Sequence, residues 1–464
     1  MPDSARQSAI DAVVASLPEL EWIIAAPKVK RLSRDFHWFS PVLKQQLDDK
    51  FAEVAVRPRD EEELKALVAA CAAQRLPLNL RGGGTGNYGQ LIPLHGGVMV
   101  DMTRLNAVLE LRDGVVRAQA GIRLADIEAQ TRPAGWELRC MPSTWRLATL
   151  GGLFGGGFGG VGSINYGPLA APGNVLSVRV MTMEETPRIL TLSAPEALLL
   201  HHAYGTNGIV LDIELALAPA RNWLERLDAF DDFAQAMAFA DAIARSPGMV
   251  KRQIAVMAAP VADYFTGLAE ALTPGQHIVI SVTASESEAI IPGLLTQHQG
   301  QNRLRYTSEE NESHSLIEYC WNHTTLQAMK VDKTLTYLQT AFAPENYFAQ
   351  VLQMEQLLSG EVLSHIEFLR DMNGNITCSG LPLVRYRDET RLNIIMQTFR
   401  DNGVKINNPH VYHIEDGKQG VIRPEVVAVK RAFDPHNLLN PGKLRGWEVR
   451  ETLPAVTMTG ISGK

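Results

Sequence analysis

Few side chains in this 464-residue sequence combine the type and the setting for chemistry. His410 and His413 stand in Asn407-Asn408-Pro409-His410-Val411-Tyr412-His413. An imidazole with a pKa of about 6.5 suits a general base at neutral pH; the bland reading is two loop histidines satisfied by backbone groups. Trp321, His323 and Tyr337 lie in a stretch rich in aromatic and polar residues, and are either the floor of a pocket or helix packing. Arg385 and Arg387 are candidates for holding a carboxylate, although exposed arginines mostly do nothing specific.

A denser signal is carried by backbone. In Arg81-Gly82-Gly83-Gly84-Thr85-Gly86-Asn87-Tyr88-Gly89, five of nine residues are glycine, and a second glycine tract follows between Gly151 and Gly167. Glycine reaches φ > 0 and admits a ligand close to the main chain. Successive N–H groups in such turns form a concave nest for an anion such as a pyrophosphate. A P-loop would need a Gly-Lys-Ser/Thr ending, which is missing. Gly84-x-Gly86-x-x-Gly89 matches the dinucleotide fingerprint, but that fold needs a helix opening at the last glycine. Here Gln90 to Gly97 intervenes and Val98 to Met102 reads as a strand, so the doubly wound fold is excluded. A glycine-rich hairpin without ligand is the remaining alternative.

The elements that position these loops are legible around them. Residues 8–20 form a short amphipathic helix, and 52–57 a strand ended by Pro58. Asp60 caps a helix with acidic residues in its first turn, and Leu76 to Leu80 is the strand that feeds the first glycine loop. Gly114 to Gly121 alternates as a strand, a helix over 124–132 stops before Pro133, and a further strand begins at Asn174. From 221 to about 405 the pattern changes. Helices are expected over 231–245, 286–299 (with Pro292 breaking it), 347–359 and 390–402. Strands are expected over 250–257, 277–282, 364–370 and 376–386. That mixture indicates an α+β domain whose antiparallel sheet is covered on one face.

Length allows two or three domains, and 45% hydrophobic with 20% charged residues is ordinary for a soluble enzyme. A net charge of -7 argues against a general nucleic-acid binder. No apolar run approaches the ~20 residues of a membrane span, and Met1-Pro2-Asp3-Ser4 lacks the features of a secretory signal. Cys71, Cys140, Cys320 and Cys378 are dispersed, as suits buried thiols in a reduced, cytoplasmic protein.

Four segments, in order, resemble the FAD-linked oxidases of the vanillyl-alcohol oxidase and p-cresol methylhydroxylase type. They are Arg81-Gly-Gly-Gly-Thr-Gly with Gly97 to Met102; Pro142-Ser143 with Ala148-Thr149-Leu150-Gly151-Gly152; Gly205-Thr206-Asn207-Gly208-Ile209; and Phe433-Asp434-Pro435 with Leu439-Asn440-Pro441-Gly442-Lys443. Asn207 departs from the family's usual Leu. The resemblance implies an α+β protein. A two-part FAD-binding domain would occupy residues 1–220 (core about 48–220), a cap or substrate domain 221–405, and a returning segment 406–464. It implies FAD contacts from Arg81, Gly82, Gly83, Gly84, Thr85, Gly86, Asn87, Pro142, Ser143, Thr149, Gly151, Gly152, Gly205, Gly208, Ile209 and Asn440.

Some family members attach FAD through a His where Thr85 stands, or through a Cys in the second tract. This chain has neither, so dissociable FAD is expected. The hydroxyacid branch carries a His-rich metal motif in its cap. Residues 376–386 have no such ligands, and no metal is expected. The resemblance places His410 and His413 near a Glu-His-Gly of that branch. The expected function is hydride transfer from a small alcohol, hydroxy acid or similar donor to flavin N5, with His410 as base and His323 or Tyr337 next in line. The alternative is a non-catalytic flavin-binding or electron-carrier module. Partners are a small-molecule substrate and an electron acceptor of unassigned type, with an oligomer possible.

Overall fold

A computed structural model describes residues 3–157, 159–308, 310 and 314–454. Its first sheet has four strands in the order Glu21–Ile23, Val54–Arg57, Val98–Asp101, Leu78–Arg81. The first pair is antiparallel and the others parallel. The helix Glu61–Ala73 makes the crossover. Asp60 accepts from the Glu63 N–H at its start, and Leu64, Leu67, Val68 and Cys71 are its buried stripe. That stripe closes a core with Val54, Val56, Leu78 and Val98. Strand Leu78–Arg81 would be an exposed edge, a pairing hazard. The chain covers it from its far end: Leu439 pairs with Leu78 in parallel, Leu78 N–H donates to Leu438 O (2.8 Å) and Asn440 N–H to Leu78 O (2.9 Å).

A second sheet runs Val108–Arg112, Val115–Gln119, Ile209–Pro219, Val175–Met181, Ile189–Ser193, with Trp136–Leu138 on the far end of the long central strand. All its pairs are antiparallel. Helices Leu124–Thr131 and Leu150–Gly156 contribute Leu124, Ile127, Leu150 and Phe154 to its core.

The largest sheet is antiparallel with eight strands: Gln301–Thr307, Trp223–Phe230, His277–Ala284, Lys251–Met257, His365–Arg370, Ile376–Gly380, Gln339–Ala341, Lys405–Asn407. Helices Phe233–Arg245, Tyr347–Leu357 and Glu389–Asp401 lie on one face, through Phe239, Ile243, Val351, Ile395 and Phe399 against Ile254, Val256, Ile366 and Phe368. The other face carries a second core around Leu227, Met257, Ile280 and the helix Asn322–Val331. A three-stranded sheet, Leu335–Tyr337, Leu383–Arg385, Val362–Leu363, completes the architecture. The protein is α+β.

Local departures from the sequence expectation have local causes. Pro292 opens the helix Ile291–Gln297 rather than breaking one, since a first-turn proline has no N–H to satisfy. The run 376–386 is two strands, because Pro382 cannot donate to a ladder. Strand Trp223–Phe230 lacks a strand's sequence pattern, because its buried Glu225, Arg226 and Asp228 disguise it as surface. Those charges are satisfied inside. Glu225 accepts from Ser308, Ser315 and the Leu316 N–H, and Arg226 pairs with Asp228 at 3.0 Å. All four cysteines are buried, and no helix among the described residues is long and apolar enough to cross a membrane.

Candidate active site

A cavity of about 910 Å³ lies between the two glycine tracts and the eight-stranded sheet. That is near the top of the roughly 300–1,000 Å³ range of small-molecule sites. One wall is made by residues 80–91, 142–157 and 204–210, the other by 321–322, 339–345, 369–381 and 403–407.

The first glycine loop presents backbone to this space. Gly82, Gly83, Gly84, Thr85, Gly86 and Asn87 all line the cavity. Among the described residues, no N–H of residues 83–87 donates a hydrogen bond within the protein. Buried N–H groups are nearly always paired, so this run of donors suits an anionic ligand. Gly84 has φ +67°, where L side chains are strained, and a Cβ there would strike the Arg81 guanidinium. Gly82 and Gly83 answer to a different constraint: a Cβ on either would fall on the Thr149 hydroxyl or the Leu147 carbonyl oxygen, where the two tracts meet. Arg81 lines the cavity, but its Nη1 donates to Leu32 O (2.8 Å) and Arg34 O (2.7 Å), so its charge is spent on holding the preceding loop.

The second tract is built to the same end. Thr149 caps the helix Leu150–Gly156 by accepting from Gly152 N–H (3.2 Å), and Gly151 N–H donates to Ala120 O (2.7 Å). Pro142, Ser143, Thr149, Gly151 and Gly152 all face the cavity, as do Gly205 and Gly208, at φ +66° and +145°. Two expected contacts are elsewhere. Ile209 is fully buried in the core as the first residue of its strand. Asn440 does not line the cavity. Its Nδ2 donates to Gln90 O and Tyr204 O, both at 2.7 Å, and so ties together two segments that do. The donor nest, the close-packed glycines and the volume fit a dinucleotide cofactor.

The proton-transfer candidates fall outside the cavity lining. His410 is buried, with Nε2 2.9 Å from Tyr337 O and Nδ1 2.7 Å from Ser40 Oγ. The carbonyl can only accept, so Nε2 carries the proton and Nδ1 accepts from the serine. Burial pushes its pKa down to about 4. This imidazole is a brace, which corrects its expected role as base. His413 is half-buried, 3.3 Å from Asp416. His323 pairs with Glu318 at 3.0 Å, and Glu318 also binds Arg146. Tyr337 is fully buried, its ring edge-on to Phe39 at 6.1 Å, and burial raises its phenol well above the ordinary value. Arg385 and Arg387 pair with Asp332 and Glu361 instead of facing the cavity.

Other residues stand where those were expected. Asp35, Tyr88, Tyr204 and Gln339 share the lining, and Gln339 Nε2 donates to the Tyr88 hydroxyl. On the sheet, alternate residues Gln339 and Ala341 pair with Asn407 and Lys405, and all four line the cavity while Ile406 points into the core. Lys405 forms no ion pair among the described residues. Trp321 also lines the cavity, at φ +52°. Its N–H donates to Glu367 (2.6 Å) and its indole to Gln253 (2.9 Å), which hold that strained backbone in place. The strand Lys405–Asn407 has only three residues, too few for its alternation to mark the sheet face in the sequence. Nothing local marked Asp35.

Residues 52–192 match a family model described as an FAD binding domain. The chain is similar to an uncharacterized FAD-linked oxidoreductase of Mycobacterium tuberculosis, 29% identical over 194 residues, which are 40% of this chain and 42% of that protein. It is similar to a D-lactate dehydrogenase of Anaerostipes hadrus, 28% identical over 175 residues, 36% of this chain and 37% of that one. These two matches span under half of either relative. Similarity to glycolate oxidase subunit GlcD of Bacillus subtilis is lower, 22%, but extends over 441 residues, 87% of this chain and 91% of the relative. Among solved structures, an alkyldihydroxyacetonephosphate synthase superposes with a TM-score of 0.63 at 16% identity, covering 85% of this chain and 76% of that one. At that identity the likeness is one of fold.

Proposed function

We propose that this chain, which carries an FAD binding domain over residues 52–192 and is similar along most of its length to a glycolate oxidase subunit, is an FAD-linked oxidoreductase of the vanillyl-alcohol oxidase and p-cresol methylhydroxylase type that oxidises a small hydroxy acid or related alcohol. The observation that carries this reading is the cavity of about 910 Å³, with backbone donors unpaired among the described residues on one wall and a polar sheet face with Lys405 on the other. Bound FAD supplies a hydride acceptor. The N–H groups of residues 83–87 hold its pyrophosphate, and Thr149, Gly151, Gly205 and Gly208 let the loops close on it. The donor lies against Gln339, Asn407 and Lys405, whose ammonium receives a carboxylate. Residues 3–220 with 408–454 form the cofactor-holding unit and 221–407 the donor-holding one, the boundary falling after 407 and not 405 because Lys405–Asn407 is a strand of the eight-stranded sheet. Relatives named for D-lactate, glycolate and D-2-hydroxyglutarate make hydroxy acids the first donors to try.

The test is an anaerobic screen of glycolate, D-lactate, D-2-hydroxyglutarate and simple alcohols against the purified yellow protein. Bleaching of the flavin band by one of them is expected. Bleaching by none would favour a binding or electron-carrier module. Admitting air afterwards separates an oxidase from a dehydrogenase by the rate of colour return. Because Thr85 offers no attachment atom of the imidazole type, acid precipitation should leave FAD in the supernatant. Flavin retained in the pellet would refute dissociable FAD.

A further inference from the structure

Asp35 is a charged group at the cavity that the cofactor reading leaves unexplained. Its side chain is fully buried and lines the space. Oδ1 accepts from the His37 backbone N–H at 3.0 Å, whereas Oδ2 has no hydrogen-bond partner in the protein. Leaving a buried carboxylate oxygen unmatched costs free energy unless a ligand supplies the donor. The segment is fixed in place, since the Phe36 N–H donates to Gly86 O (2.7 Å) of the glycine loop.

Behind Asp35 stands a second titratable group, and behind that a third. His37, 1% exposed, has Nδ1 3.3 Å from Asp35 Oδ1 and Nε2 3.0 Å from Asp48 Oδ1. The Asp48 side chain is 42% exposed. Carboxylate, imidazole and carboxylate therefore run in series from the cavity to bulk water. We propose that Asp35 accepts the proton of the donor and that His37 and Asp48 release one proton to solvent in exchange. This rests on the donor-oxidation reading.

The step balances. The donor O–H proton goes to Asp35 Oδ2, the C–H hydrogen leaves with its bonding pair to the oxidised flavin, and the C–O bond becomes C=O. With Asp35 neutralised, imidazolium His37 loses one of its two counter-charges and passes its Nε2 proton to Asp48 and on to water. Burial alone would lower the imidazole, but its contacts to Asp35 and Asp48 outweigh that and hold it above its ordinary range. The other charged groups around the series are committed. Arg34 donates to Asp48 O (2.7 Å) and lies 3.9 Å from its carboxylate, and Arg81 donates to the Leu32 and Arg34 carbonyls; Lys443 donates to Gly89 O (2.6 Å), its ammonium pushed down to about 7 by burial against the attraction of Asp35. The phenols of Tyr204 and Tyr337, both pushed up by burial, stay protonated.

The experiment compares the wild-type holoprotein with Asp35→Asn, His37→Gln and Asp48→Asn. Asp35→Asn should keep stoichiometric FAD and the wild-type melting temperature. It should slow anaerobic reduction by D-lactate or glycolate by about 10²- to 10⁴-fold and leave reduction by dithionite unchanged. In weak buffer with a pH dye, proton release should coincide with bleaching in the wild type and lag behind it in Asp48→Asn and His37→Gln. Wild-type donor rates in Asp35→Asn would overturn the proposal. So would loss of FAD from that variant, which would make Asp35 a cofactor contact. If neither acid reduces even the wild type, the donor reading fails while the acid–base claim remains open to a direct measurement. Photoreduction with EDTA places negative charge in the cavity, and the infrared difference spectrum should then show a protonated carboxyl that Asp35→Asn lacks. Absence of that band in the wild type would overturn the proposal by itself.

Discussion

Gly84 and Gly86 look alike in the sequence, yet the structure separates them. Only Gly84 has positive φ, and its missing Cβ makes room for the Arg81 guanidinium. A Cβ on Gly86 would meet only the amide end of the flexible Gln90 side chain. Gly84→Val should therefore purify with little or no FAD, while Gly86→Ala keeps it, as read from the flavin-to-protein absorbance ratio. His410 carries a different consequence. Its folded pKa of about 4 lies below the ordinary ~6.5, so the unfolded chain binds the extra proton first. The penalty is absent above pH 6.5, grows as pH falls, and levels off below about 4. His410→Gln should flatten that acid loss of stability, worth up to about 3 kcal/mol, in denaturant titrations at pH 7 and pH 4.5. At neutral pH it should cost about 1–3 kcal/mol from the unpaired Ser40 and Tyr337 groups while the flavin-reduction rate is kept. The glycines were legible because a glycine is itself a statement about backbone. His410 was not, because its two partners come from residues 40 and 337, and only the fold brings them there.

At the scale of elements, the cavity wall depends on strand register. Lys405 and Asn407 reach the cavity because Lys405–Asn407 pairs with Gln339–Ala341 in a register that turns Ile406 inward. A one-residue slip would exchange them. Lys405→Met should raise KM for a hydroxy acid about ten-fold or more with kcat nearly unchanged, because a carboxylate contact far from the breaking bond binds ground and transition states alike. An alcohol without a carboxylate should show no such change. Helices with a clear cap, such as Glu61–Ala73 after Asp60, are legible at their N-terminal ends. Strand Trp223–Phe230 is hidden by charges that, apart from the Arg226–Asp228 pair, find partners 62 to 91 residues away, and the short strands Gln339–Ala341 and Lys405–Asn407 are three residues each, too brief for a period to declare itself.

On the scale of the whole molecule, the sheet that launches the glycine loop is finished by the returning segment. Lys430 and Asp434 are both fully buried and paired, Lys430 also donates to Leu439 O (3.0 Å), and Asp434 accepts the N–H groups of Leu438 (2.9 Å) and Leu439 (2.7 Å). Removing one member of such a pair leaves a buried uncompensated charge, typically at a cost of 3–5 kcal/mol. Asp434→Ala should therefore lower stability by about that amount in urea titration, and should shed FAD at urea concentrations where the wild type retains it.

The Leu78–Leu439 pairing also sets a schedule. These partners are some 360 positions apart, so at roughly 5–20 residues per second the ribosome needs about 20 to 70 s between making one and making the other. Throughout that interval the edge of Leu78–Arg81 waits open while the eight-stranded sheet is synthesised and folds. A nascent chain that stalls or is cut short keeps its glycine loop but never receives the returning segment that steadies it. Colour thus becomes a mark of completion: flavin retention should report that translation passed the closing segment, and colourless fragments are the ones left for proteases.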